Sequence, residues 1–238
     1  MGWRYGLLLI TFSLSIPCFA DCANLHLPEA KNVERARNGD DKMQLELGRA
    51  YECAGQFSEA AHWYQLSADH GNPAAQTNLG ALYATGRGVN QDDKEAVRWY
   101  LRAASVGFAP AQSNLGLMFG TGRGVPRSDE AAFQWFSRAV DNHYFPAYPA
   151  AAMLYLNGQG VMRNDEKALK LATEAAKHGV ANAEIVLAVI YAEGLGVRQD
   201  LAKAAQWQSK AIQDGALPSS AMQSKRSLTA SSGSVGVP

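Results

Sequence analysis

Between residues 38 and 216 the apolar positions fall three and four residues apart, in paired runs separated by a polar, glycine-bearing stretch. That spacing puts apolar side chains on one face of a helix, so each run predicts an amphipathic α-helix. In the clearest unit the first run covers Ala74 to Ala84 and carries Leu79, Leu82 and Tyr83. The second covers Asp93 to Val106 and carries Ala96, Val97, Tyr100, Ala103 and Ala104. No β-strand pattern precedes the glycine stretch.

The stretch between the runs returns on a 36-residue step: TGRGVNQD at 85–92, TGRGVPRS at 121–128, NGQGVMRN at 157–164 and EGLGVRQD at 193–200. The rest of the unit keeps the same register. Trp63, Trp99, Trp135 and Trp207 recur, with Leu171 taking the slot once, and Ala60, Ala96, Ala132, Ala168 and Ala204 recur three residues earlier. Before each second run stands Asp92, Ser128, Asn164 or Asp200. Their side-chain oxygens suit the N-cap, accepting from the first unpaired backbone N–H groups. Gly71, Gly107, Gly179 and Gly215 end the units, with His143 as the substitute; glycine there permits the left-handed cap that stops a helix. A helix pair cannot hide its apolar face alone, so a repeat of this length predicts stacked pairs, a solenoid.

The glycine stretch is therefore read as a turn inside a helical hairpin. A Walker-type phosphate loop follows a strand and closes on Lys-Ser or Lys-Thr; neither feature is present. The arginine between the glycines varies as Arg87, Arg123, Gln159 and Leu195, whereas Gly-x-Gly-Val persists.

In AQTNLGALYATGRGVNQDDKEAVRWYLRAASVGFAPAQ and its three successors, the chain resembles the Sel1-like repeat (SLR) family, a branch of the tetratricopeptide-like α-solenoids. The first unit, 38–72, has a turn four residues shorter and is closer to a plain tetratricopeptide repeat; units 73–108, 109–144, 145–180 and 181–216 are Sel1-like. The resemblance implies an all-α fold, a right-handed α-solenoid superhelix of antiparallel helix pairs whose concave face binds proteins or peptides. Carried over residue by residue, it implies a partner groove from Arg49, Thr77, Ser113, Leu117, Met153, Asn157, Ile185, Val189 and Glu193. Packing against neighbouring repeats accounts for the apolar members equally well, and the pattern leaves the two open. In the fourth unit Tyr144, Phe145 and Tyr148 cluster around Pro149. They read either as an anchor for a partner or as inter-repeat packing.

Charge narrows the partner class. The 22 basic and 22 acidic residues cancel, with no basic block to neutralise phosphates, so nucleic acid is not expected. Residues 1–20 carry a basic n-region, an apolar run and a Cys18-Phe19-Ala20 cleavage site, the pattern of a signal peptide. The apolar run is short of the ~20 residues a span requires, so no stable membrane insertion is expected once it is cleaved. These features predict a secreted, periplasmic protein. Cleavage would leave Cys22 and Cys53, a pair suited to a disulfide in an oxidising compartment, although two free thiols also satisfy the count. Residues 21–37 extend or cap the N-terminal end, and the serine-rich 217–238 reads as a flexible tail, with a short docking helix the alternative.

No catalytic constellation emerges. There is no Ser-x-x-Lys and no Lys-Thr-Gly, as a penicillin-recognising serine enzyme requires, and no metal site or cofactor is expected. His70, His143 and His178 sit at helix C-termini, where a cation favours the helix dipole. Glu59-x-x-His62 lacks the second copy a di-iron site needs. The resemblance also admits a cysteine-rich secreted branch linked to β-lactamase or penicillin-binding activity. That branch has a disulfide within each repeat, and Cys53 is the one cysteine inside the repeats here. A non-enzymatic envelope scaffold is thus the leading expectation, ahead of such a hydrolase and of a purely architectural spacer.

Overall fold

A computed structural model describes residues 30–216; the leader, Cys18, Cys22 and the serine-rich tail lie outside the described residues. The described residues form helix pairs and no strand. A short helix α1 (Ala30–Arg37) precedes α2 (Asp41–Cys53) and α3 (Phe57–Asp69), then α4 (Pro73–Thr85) and α5 (Asp93–Ser105). Next come α6 (Ala109–Thr121) with α7 (Asp129–Asp141), α8 (Tyr148–Asn157) with α9 (Asp165–Lys177), and α10 (Ala181–Glu193) with α11 (Leu201–Gln213). This is a right-handed α-solenoid. The first helices α2 and α4 touch, as do α8 and α10, while no two successive second helices are in like contact. First helices therefore form the compressed, inner layer of the stack.

The caps follow the sequence closely. Asp92 accepts from the N–H groups of Lys94 and Glu95 at 2.9 and 3.0 Å. Ser128 accepts from Ala131, Asn164 from Lys167 and Asp200 from Lys203 in the same way.

The two glycines of each turn have different tasks. The first, as in Gly122 (φ 73°), is the left-handed C-cap of a first helix. The second lies against the neighbouring repeat: a Cβ on Gly124 (φ +69°) would stand 2.2 Å from the carbonyl oxygen of Asp93 at the start of α5. Gly88, Gly160 and Gly196 meet the starts of α3, α7 and α9 likewise. The residue between the glycines reaches the same spot. Arg123 Nε donates to Asp93 Oδ2 at 3.1 Å, Arg87 sits 4.0 Å over the Phe57 ring, and Gln159 reaches Asp129. Although it changes identity along the chain, this position bridges one repeat to the one before.

Tryptophans fill the clefts between successive second helices. Trp99, 4% exposed, clusters with Ala60, Tyr64, Leu79 and Leu82 of the preceding layers. Trp63 clusters with Ala36 and Val33 of α1, so α1 plays the second helix of a preceding pair and caps the N-terminal end. Gln44 shows the same equivalence. Its Nε2 donates to Ala36 O at 2.9 Å, as Gln76 Nε2 donates to Ala68 O at 3.1 Å.

The fourth unit departs most. Pro146 and Pro149 remove N–H donors, and the segment opens with a 3-10 turn, Phe145–Ala147, leaving α8 only 10 residues against 13 in the other first helices. Gly116 lies under the Phe136 ring. One step on, both members of that pair are alanine, Ala152 and Ala172.

In the last unit Glu184 holds the register position of Gln76 and Gln112, and is fully buried. Lys210 donates to its Oε1, but Oε2 has no hydrogen-bond partner. Burial pushes the carboxyl above its ordinary 4.5, outweighing the Lys210 hydrogen bond that lowers it. A carboxyl raised on folding favours the fold below its unfolded pKa, and that contribution is lost as pH rises through the folded value. Glu184→Gln, which restores a donor, should therefore raise stability at pH 7 by about 1 kcal/mol, and the gain should vanish near pH 4. Urea melts at the two pH values check this; an equal effect at both would rule it out.

Candidate partner groove

The groove positions all lie on first helices, the inner layer. Arg49 on α2 is half-buried, its Nη1 donating to Glu46 Oε1 at 3.3 Å. Beside it Tyr64 donates to Glu52 Oε2 at 2.7 Å; burial pushes the Glu52 carboxyl up, against the lowering effect of the tyrosine. Ser113 and Leu117 on α6, Met153 on α8 and Val189 on α10 are half-buried, while Asn157 and Glu193 at the helix ends are exposed. Leu117 packs against the clusters on both sides of α6, and Met153 and Val189 border the C-terminal cluster. These side chains pack on one flank and meet solvent on the other.

Two expected groove residues are withdrawn from the surface. Thr77 is 2% exposed and its hydroxyl donates to Pro73 O at 2.8 Å. Ile185, 4% exposed, is clustered with Ala152 and Leu156 of α8. Both belong to first helices that touch a neighbouring first helix, α4 against α2 and α10 against α8, and for Ile185 the residues of α8 supply the cover. The accessible surface then runs from Arg49 through Ser113 to an apolar stretch at Leu117, Met153 and Val189, bounded by Asn157 and Glu193.

The fourth-unit aromatics and the histidines take part in packing and capping. Tyr148 is buried with its hydroxyl donating to Val140 O at 3.3 Å, and Phe145 stacks on His178 at 3.5 Å between ring centroids. His70 and His178 are C-cap residues, and His143 adopts φ 56° in the glycine slot. His70 Nδ1 lies 3.1 Å from Gln44 Oε1, a partner that spacing alone does not reveal. Cys53 is disulfide-bonded. Among the described residues no group of three or more His, Cys, Asp or Glu side chains could hold a metal ion, and no helix is long and apolar enough to cross a membrane.

Stacked hairpins with a continuous inner face define a repeat-built interaction solenoid. The Sel1 repeat family model matches residues 43–72, 73–108, 109–144, 150–180 and 181–215, and the chain belongs to that family. The match includes the short-turned first unit and skips Phe145–Pro149, where the 3-10 turn interrupts the pattern. A Sel1 repeat protein from Oxalobacter formigenes is similar at 25% identity over 79% of this chain and 84% of its own, with a TM-score of 0.70. The protective antigen c5321 of uropathogenic Escherichia coli, with an SLR fold, is 28% identical over 81% of this chain and 49% of its own, TM-score 0.60. A Klebsiella pneumoniae sel1 repeat protein shares the fold at 18% identity, over 78% of this chain and 92% of its own, TM-score 0.56. No curated protein is significantly similar to the chain. Sel1 repeat solenoids generally mediate protein–protein interaction.

Proposed function

We propose that the chain is an exported, non-enzymatic scaffold of the bacterial cell envelope that holds a protein or peptide partner in its concave groove. The observation that carries this reading is the run of half-exposed apolar side chains, Leu117, Met153 and Val189, on three successive first helices of the inner layer. An extended or helical peptide with a hydrophobic anchor suits such a surface. Export rests on the leader pattern of residues 1–20, and the disulfide at Cys53 fits an oxidising compartment.

The test is crosslinking in the native envelope, with the crosslinked partner identified by mass spectrometry. Leu117→Glu combined with Val189→Glu should leave the circular dichroism helical and remove that crosslink; its persistence would place the partner elsewhere. Purified protein should leave nitrocefin unhydrolysed, and turnover above a buffer blank would restore the hydrolase reading. Fractionation should find the processed chain in the periplasm; an unprocessed cytoplasmic pool alone would defeat the export proposal.

A further inference from the structure

Where the other units carry a tryptophan, the fourth carries Leu171, and its helix differs in charge as well. In α5 Glu95 stands four residues before Trp99 and Arg102 three after, with the guanidinium 4.4 Å over the indole. In α7 Arg138 sits 4.5 Å over Trp135. At the same register α9 has Lys167, Leu171 and Glu174. The indole is gone and the charges one turn to either side are reversed.

Trp135 packs into its cleft against a cluster that includes Ala96 and Tyr100 of α5 and Leu115 and Met118 of α6. Leu171 does not fill the corresponding cleft between α7 and α9. A cavity of about 460 Å³ remains there, floored by Tyr148 and Tyr155 of α8 and walled by Phe133 and Leu171. Phe133 and Tyr155 meet edge to face, 5.2 Å between centroids. Lys167 Nζ lies 5.5 Å from the Tyr155 ring, at one end. Glu174 and Asp141 line the other end, with Lys170 between the two ends, and Glu174 also pairs with Lys177 at 3.1 Å and faces His178 at 3.4 Å. The volume is in the range of ligand-binding clefts, ~300–1,000 Å³.

We propose that this cleft receives a helix of a protein partner carrying the pattern Glu-x-x-x-Trp-x-x-Arg. Its indole enters the cavity above Leu171, its acid faces Lys167 and its base faces Glu174 and Asp141. The partner helix runs parallel to α9 and supplies the set of side chains that α5 supplies to its own cleft. Aromatic side chains in desolvated pockets dominate interface energetics, and the reversed end charges fix register and direction. The site lies between second helices and does not depend on the concave groove.

The probe is a fluorescein-labelled helical peptide with that pattern on an alanine–glutamine background, titrated by anisotropy against the full chain. Binding should be saturable, and Trp→Ala in the peptide should weaken it about tenfold or more. Leu171→Trp should fill the cavity, raise Tm and weaken binding about tenfold or more. Glu174→Arg, a change at a half-exposed side chain, should shift preference to a peptide with its two charges exchanged. Leu117→Glu with Val189→Glu should bind the peptide as the wild type does, which separates this site from the groove. Absence of binding by the wild type, or equal binding by Leu171→Trp, overturns the proposal. So does a wild-type dimer that Leu171→Trp converts to monomer, which would make a second copy the occupant.

Discussion

Trp99→Ala should lower the free energy of unfolding by about 3–5 kcal/mol, the usual cost of truncating a large aromatic in a packed core. Trp99 is almost fully buried and joins apolar residues of α3 and α4 to its own helix. Losing the indole therefore opens an inter-repeat seam as well as removing buried area. Its Nε1 has no hydrogen-bond partner, so no hydrogen bond is forfeited, and the loss is one of packing alone. Trp99→Phe should accordingly cost much less than Trp99→Ala. Urea denaturation followed by circular dichroism measures both. A loss near zero for alanine would remove Trp99 from the shared core, and equal losses for the two variants would point to the ring N–H.

Gly124→Ala should cost more than Gly122→Ala, although the two glycines share a turn and nearly the same φ. A left-handed conformation costs an alanine roughly 1–2 kcal/mol in either place. At Gly122 the added methyl meets Arg127 Cβ at 3.2 Å, within the same turn, so a shift of a few tenths of an ångström inside that turn relieves it without moving the neighbouring repeat. At Gly124 it meets the Asp93 carbonyl at 2.2 Å, backbone of the preceding repeat. Relief there requires the two repeats to separate, adding about 1–3 kcal/mol as overpacking does. The expected totals are ~1–2 kcal/mol for Gly122→Ala and ~2–5 kcal/mol for Gly124→Ala. Because repeat arrays are held by nearest-neighbour interfaces, the Gly124 variant should also broaden or split the melt. Equal destabilisation by both would mean that only backbone strain is at work.

Much of the fold is legible in the amino-acid sequence. The helices α4 and α5 begin and end within a residue of the apolar runs, because local periodicity and capping chemistry act over a few residues. The N-caps Asp92, Ser128, Asn164 and Asp200 are recognisable for the same reason. The groove was legible only in part. Spacing assigns Thr77 and Ile185 to the same helix face as Ser113 and Val189, but exposure depends on which first helices lean together. Nor does the variation Arg87, Arg123, Gln159, Leu195 reveal an inter-repeat bridge, since the Phe57, Asp93 and Asp129 it meets lie some thirty residues back.

The amino-acid sequence by itself determined the repeat length, the helix pairs, their caps and the stacked all-α architecture, since each follows from contacts between residues near in the chain. Only the tertiary structure decided which side chains on the inner layer stay accessible, that Gly124 rather than Gly122 meets the neighbouring backbone, and that Leu171 leaves a cleft open. Those are properties of surfaces brought together by stacking, and a single strand of text carries no record of how closely two such surfaces approach.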